Sequence, residues 1–193
     1  MSEPESSVFS KSCIGDSSLL LVIDIQERLG AAMPSKVLNR VLLNTQLLVS
    51  SAQLLDVPTI TTEQYPRGLG PTHPSVRDAL APGSPCVTKM TFSCCASREF
   101  SERLAEAERS QIVISGMEAH ICVLQTALDL KSRGFNVFVV EDAICSRRLE
   151  NYQNALDRLR QCDIAIVSAE SVVFEWLGSA EHEHFKSIQS KLR

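Results

Sequence analysis

Residues 19–24 read Leu19-Leu20-Leu21-Val22-Ile23-Asp24, five apolar residues in succession ended by a carboxylate. An apolar run without alternation suits a strand covered on both faces, the usual condition of a parallel sheet. Working outward, further short β-rich runs stand at 57–62, 85–88, 111–114, 135–140 and 164–167. Between them lie helical patterns at 37–55 (Val37, Val41, Leu48, Leu55), 119–133 and 149–160. Gly134 follows the second of these and closes it at the C′ position. Strands alternating with helices, joined by right-handed crossovers, build a parallel sheet between two helical layers. The expected fold is therefore α/β: a three-layer α/β/α sandwich with a six-stranded parallel sheet, Rossmann-like in plan. In such a sheet ligands bind beyond the carboxyl ends of the strands, so residues just after strands are the first candidates for chemistry.

The length of 193 residues suits one domain, expected at 18–193 behind a flexible N-terminus, 1–17. Hydrophobic residues at 44% and charged residues at 22% exclude a largely disordered or fibrous chain. The net charge of -4 argues against a nucleic-acid partner, which calls for a basic surface. No apolar run reaches the roughly 18 residues of a membrane span, so no membrane partner is expected. Residues 1–7 are acidic and serine-rich and lack the basic and apolar regions of a signal peptide. Seven cysteines without regular spacing do not form a secreted disulfide framework. Together these features point to the cytoplasm.

Three strand ends carry reactive groups. Asp24 ends the first strand, where a carboxylate on a buried element needs a partner or a task. Capping the next segment is its bland alternative. Lys89 follows the 85–88 strand and either supplies fixed positive charge or snorkels to water. Cys122 opens the helix after the fourth strand, where the helix dipole favours a thiolate, or else serves as a small core residue. Local sequence leaves each alternative open. Jointly, an Asp, a Lys and a Cys on one sheet edge can act as base, cationic stabiliser and nucleophile. His120 stands two residues from Cys122, a spacing that does not face it on a helix, so Asp24 is preferred as base.

The stretch 114–130, with Gly116 six residues before Cys122 and Thr126, Ala127 and Asp129 after it, resembles the nucleophile motif of the isochorismatase-like cysteine hydrolases. That family's Asp and Lys match Asp24 in Val22-Ile23-Asp24-Ile25-Gln26 and Lys89 in Thr88-Lys89-Met90-Thr91-Phe92-Ser93. The likeness spans about residues 18–178, and Thr62-Glu63-Gln64-Tyr65-Pro66-Arg67-Gly68-Leu69-Gly70-Pro71-Thr72 narrows it to the isochorismatase domain-containing subgroup. The resemblance implies an Asp24, Lys89, Cys122 triad, a cis peptide bond at Met117–Glu118, and an oxyanion hole from the N–H groups of Glu118 and Cys122. It also implies a homo-oligomer, a dimer or larger. The expected activity is metal-independent hydrolysis of an amide or ureide C–N bond in a small molecule, through a Cys122 thioester. The alternative is a non-catalytic binding or scaffolding oligomer that keeps the pocket.

Gln64, Tyr65, Phe92 and His120 are the candidate pocket residues, with Trp176 a further aromatic. The family's nicotinamidases hold a metal with an Asp-x-His pair and a further His after the second strand. Here Glu63, Gln64 and His73 stand in that region, so no metal and no cofactor are expected. Gly68-x-Gly70 lacks the third glycine of a dinucleotide fingerprint. Cys94, Cys95 and the His182, His184 run carry no assigned role.

Overall fold

The computed structural model describes residues 12–192. Six parallel strands form one sheet in the order β3-β2-β1-β4-β5-β6. They are β1 (Ser18–Ile23), β2 (Thr59–Gln64), β3 (Cys86–Lys89), β4 (Gln111–Met117), β5 (Asn136–Cys145) and β6 (Ala165–Val167). The long helices are α2 (Ser35–Leu54), α5 (Arg98–Glu106), α6 (Leu124–Ser132), α7 (Leu149–Gln161) and α8 (Ala169–Leu177). Short helical segments stand before, between and after them: α1 (Glu27–Ala31), α3 (Pro66–Leu69), α4 (Pro74–Arg77) and α9 (Phe185–Gln189).

Every residue of β1 is buried. Leu20 and Val22 pack toward α2 and α8, while Leu19, Leu21 and Ile23 pack toward α5, α6 and α7. The unbroken apolar run thus serves two cores, one on each face. In α2 the buried positions Val41, Thr45, Leu48, Val49 and Ala52 follow helical spacing and make one inward stripe.

The chain runs from β1 outward to β2 and β3, then returns to place β4 on the other side of β1. The connections therefore part at the carboxyl ends of β1 and β4, and this switch point is where a crevice forms. Asp24 and Cys122 lie at its two sides.

Several boundaries differ from the sequence reading, each for a physical reason. The fifth strand, expected at 135–140, runs on through Glu141 and Asp142 to Cys145. A register shift between Ile114 and Gly116 absorbs them, and the pairing resumes as Gly116 with Ile144 and Met117 with Cys145. The helix expected over 119–133 begins as a π-helical turn, Ala119–Val123, before α6. The helices α5 and α8 had no assignment from sequence. Each is capped by a serine, Ser97 accepting from the Phe100 N–H (3.4 Å) and Ser168 from the Ser171 N–H (3.2 Å). Of the segment 1–17 expected to be flexible, residues 1–11 lie outside the described residues. Cys13, by contrast, is fully buried, and the Ile14 N–H donates to Gln111 Oε1 (2.7 Å). Among the described residues no helix is long and apolar enough to cross a membrane.

Candidate active site

Asp24 follows β1 with a left-handed φ of 51°, which turns the chain away from the strand. Its carboxylate is fully buried and both oxygens are engaged. Oδ1 accepts the Thr62 hydroxyl (2.7 Å), and Oδ2 accepts the Lys89 ammonium (2.6 Å). Thr62 comes from β2, where it pairs with Ile23 at the end of β1. Lys89 is the last residue of β3, two strands from β1, and its long stem carries the charge past the end of β2.

Lys89 does not snorkel; its side chain is 1% exposed. Besides Asp24, its Nζ donates to Gln64 Oε1 (2.8 Å), the Phe92 carbonyl (3.2 Å) and the Thr91 carbonyl (3.3 Å). Burial by itself would lower the ammonium below its ordinary value. Burial is the largest single influence, but the Asp24 charge and smaller contributions from Cys94, Cys122 and the Asp24 hydrogen bond together exceed it, so the net shift is upward. A buried ion pair with this many partners is the arrangement that compensates desolvation.

Cys122 sits in the π-helical turn, 5% exposed. Its thiol is held well above the ordinary cysteine value, first by burial and then by the charge of Asp24. Lys89 pulls the other way and loses. The resting group is therefore a neutral thiol facing a carboxylate. A helix dipole alone favours a thiolate, but here burial and the neighbouring Asp24 anion oppose it. The Met117–Glu118 bond is cis, and Glu118 precedes the turn. Gly116 is required here for a steric reason: with φ of 137°, a Cβ would stand 2.1 Å from the Ile23 carbonyl oxygen.

Supporting residues that sequence reasoning missed now have roles. Thr62 looked like any strand threonine. Gln26, fully buried, clamps the loop after β2 through Gln64 N–H (2.8 Å), Gln64 O (3.0 Å) and Gly70 O (2.6 Å). Thr126 Oγ1 accepts the Cys94 N–H (3.0 Å), and Asp129 accepts the Ser93 hydroxyl (2.5 Å). The Thr and Asp of the 126–129 motif thus fasten α6 to the loop that encloses the Lys89 ammonium. The Glu118 carboxylate is buried and accepts from Arg147 N–H (2.9 Å) and Nε (3.1 Å). Cys94 lies in this core too, its Sγ 4.0 Å from Thr62 Oγ1, and burial pushes its thiol up to about 12.

The four candidate pocket residues divide. Gln64 belongs to the ion-pair network, with its Nε2 donating to Met90 O (2.9 Å). Tyr65, at φ 39°, and Phe92 are about half exposed beside it. The Tyr65 N–H donates to Lys89 O (3.0 Å), and a Cβ at Gly68 would meet the Tyr65 ring at 2.2 Å. His120 faces the other way, its ring nitrogens taken by Ser146 Oγ (2.9 Å) and the Asn151 amide (3.2 Å). Trp176 is not at this edge. Its Nε1 donates to Ser18 Oγ (3.0 Å) at the opposite end of β1.

The residues considered as metal ligands are spent on protein partners. Glu63 takes the Thr72 N–H (2.6 Å) and hydroxyl (2.7 Å), His73 Nδ1 takes the Ser75 N–H (3.3 Å), and Gln64 holds Lys89. Among the described residues no three His, Cys, Asp or Glu side chains converge as a metal site.

A family model described as the isochorismatase domain matches residues 18–171. Isochorismatase domain-containing protein 2 of Bos taurus is 36% identical over 177 residues, covering 92% of this chain and 83% of its own. A solved structure described as MAR1 ribonuclease from Caenorhabditis elegans is 33% identical with a TM-score of 0.88, covering 94% of this chain and 92% of that one. The YcaC product of Escherichia coli, described as an octameric hydrolase of unknown specificity, shares the fold. It has a TM-score of 0.83 at 23% identity and covers 98% of this chain and 92% of that one.

Proposed function

This chain belongs to the isochorismatase family, and on that premise we propose that it is a metal-independent cysteine hydrolase of a small-molecule amide or ureide C–N bond. The observation that carries the reading is the fixed Asp24 carboxylate, held at Oδ1 by Thr62 and at Oδ2 by Lys89, beside a neutral Cys122 thiol. A thiol that is neutral at rest needs a base at the moment of attack, and Asp24 is the group in place.

In the proposed cycle the Cys122 proton passes to Asp24 as sulfur bonds to the carbonyl carbon. The N–H groups of Glu118 and Cys122 receive the oxyanion. The C–N bond then breaks, and Asp24 returns the proton to the departing nitrogen, leaving a thioester on Cys122. Water, deprotonated by Asp24, attacks the thioester, the C–S bond breaks, and the proton returns to sulfur. Lys89 keeps Asp24 in position and balances its charge. Tyr65 and Phe92 border the entrance and form part of the substrate pocket. We place the protein in the cytoplasm, in keeping with its seven free cysteines, and as a homo-oligomer, in keeping with the octameric YcaC product that shares its fold.

The height of the Cys122 thiol also suits the rival reading, a binding or scaffolding oligomer with no turnover. A panel of amides and ureides with ammonia detection, run on wild type and Cys122→Ala, separates the two. Ammonia release lost in the variant supports the hydrolase. Saturable binding without release in either protein supports the binder. An RNA arm is included because of the ribonuclease relative; cleavage of RNA by wild type but not Cys122→Ala would replace the amide assignment.

A further inference from the structure

We infer that the cavity between the first turns of α2 and the end of β5 is a binding site for the carboxylate or phosphate group of a small molecule, separate from the Cys122 site. The cavity is about 110 Å³ and is lined by Arg40, Arg147, Ser146 and Tyr152, with Val37 and Leu149 among its apolar walls. It contains none of Asp24, Lys89 or Cys122.

Two arginines line the cavity, each anchored by one hydrogen-bonded edge. Arg40 donates from Nη2 to Ile144 O (3.1 Å), and its guanidinium carbon stands 5.8 Å from the centre of the Tyr152 ring. Among the described residues no carboxylate stands within salt-bridge distance of it, although Glu118 and Glu141 lie in the same neighbourhood. Arg147 is held by Glu118 through N–H and Nε, and among the described residues Nη1 and Nη2 have no hydrogen-bond partner. Anchored forks with donors to spare match the paired oxygens of a carboxylate or phosphate, and holding them in advance reduces the entropy lost on binding. Ser146 also lines the wall, its hydroxyl already bonded to His120 Nδ1 (2.9 Å). A volume of about 110 Å³ equals the liquid volume of about four waters, which admits inorganic phosphate or a short-chain carboxylate. Leu149, 63% exposed at the wall, and Val37 suit a short apolar body behind the charged head.

The test is calorimetric titration and thermal melting of the full chain with sodium phosphate or sodium butyrate, against sodium chloride at matched ionic strength. Wild type is expected to bind at least one of the two saturably. At about a hundredfold excess over Kd, its Tm should rise by about 5–10 °C. Arg40→Met should weaken binding at least tenfold. Arg40→Lys keeps the charge without the fork and should give an intermediate loss, which serves if the Met variant does not fold. Leu149→Trp, which narrows the cavity, should weaken butyrate more than phosphate. Cys122→Ala should bind as wild type does. Tighter butyrate names a carboxylate ligand, and tighter phosphate a phosphorylated one. No saturable effect beyond chloride overturns the inference. So does wild-type affinity in both Arg40 variants, or loss of binding in Cys122→Ala.

Discussion

Asp24→Asn removes one partner of a buried ion pair whose side chains are 0% and 1% exposed. Leaving a buried charge unpaired typically costs about 3–5 kcal/mol. The substituted amide can still accept one hydrogen bond, so the expected cost is about 3 kcal/mol near neutral pH. For a chain of this size that lowers Tm by about 6–12 °C. The pH dependence is more diagnostic than the size. In the wild type, Asp24 raises Lys89 above its ordinary value. The stabilisation is therefore complete below the unfolded lysine value of about 10.4 and is lost only as pH rises through the higher folded value. In the variant, burial acts without its counterweight and places Lys89 below that value. The unfolded chain then binds more protons than the native one, and variant stability climbs with pH by up to about 1.4 kcal/mol per unit. The deficit relative to wild type should be largest near pH 7 and shrink toward about pH 10. Urea unfolding across that range measures it, with Asp24→Asn/Lys89→Met expected to recover much of the loss. A deficit under about 0.5 kcal/mol, or one that stays constant with pH, would refute the reasoning.

Thr62→Val removes the hydroxyl that holds Asp24 Oδ1 and should cost about 1.5–3 kcal/mol, with Thr62→Ser restoring most of it in the same unfolding assay. If Ser fails to rescue, the hydroxyl is not what matters. Gly116→Ala forces a Cβ to 2.1 Å from a backbone oxygen at a φ of 137°, so it should cost more than about 4 kcal/mol or prevent folding. A wild-type melting curve for that variant would contradict the packing described. Burial and Asp24 hold the Cys122 thiol high, so its alkylation by iodoacetamide should be slow at pH 7 and still rising about tenfold per unit at about pH 9. A plateau below about pH 8, read by mass spectrometry of the Cys122 peptide, would show a preformed thiolate.

The sheet and the three strand-end groups were legible in the sequence because both depend on local pattern. An apolar run such as Leu19 to Ile23 can be stable only when covered on both faces. The strand-end rule then selected Asp24, Lys89 and Cys122 before any contact was known. The resemblance added Glu118 and the Met117–Glu118 bond. Ser97 and Ser168 carried cap signals that could have placed α5 and α8. Glu141 and Asp142 misled because a register shift lets charged residues stay in a strand while half exposed.

What the tertiary structure alone decided is how those groups act on one another. Lys89 and Asp24 are 65 residues apart, and no local rule says that a lysine stem will cross β2 and end 2.6 Å from that carboxylate. Thr62 became an Asp24 partner only through the pairing of β1 with β2. The pairing of Glu118 with Arg147, and the placing of Arg147 and Arg40 on one cavity, depend on where β5 ends against α2 and the β4 turn. The state of Cys122 was settled in the same way. A sequence shows a thiol at a helix start, but its proton affinity is set by desolvation and by nearby charges, which act through space. The amino-acid pattern determined which elements form and which residues stand at their ends. Distances between those ends, and so the charges each group experiences, belong to the folded chain.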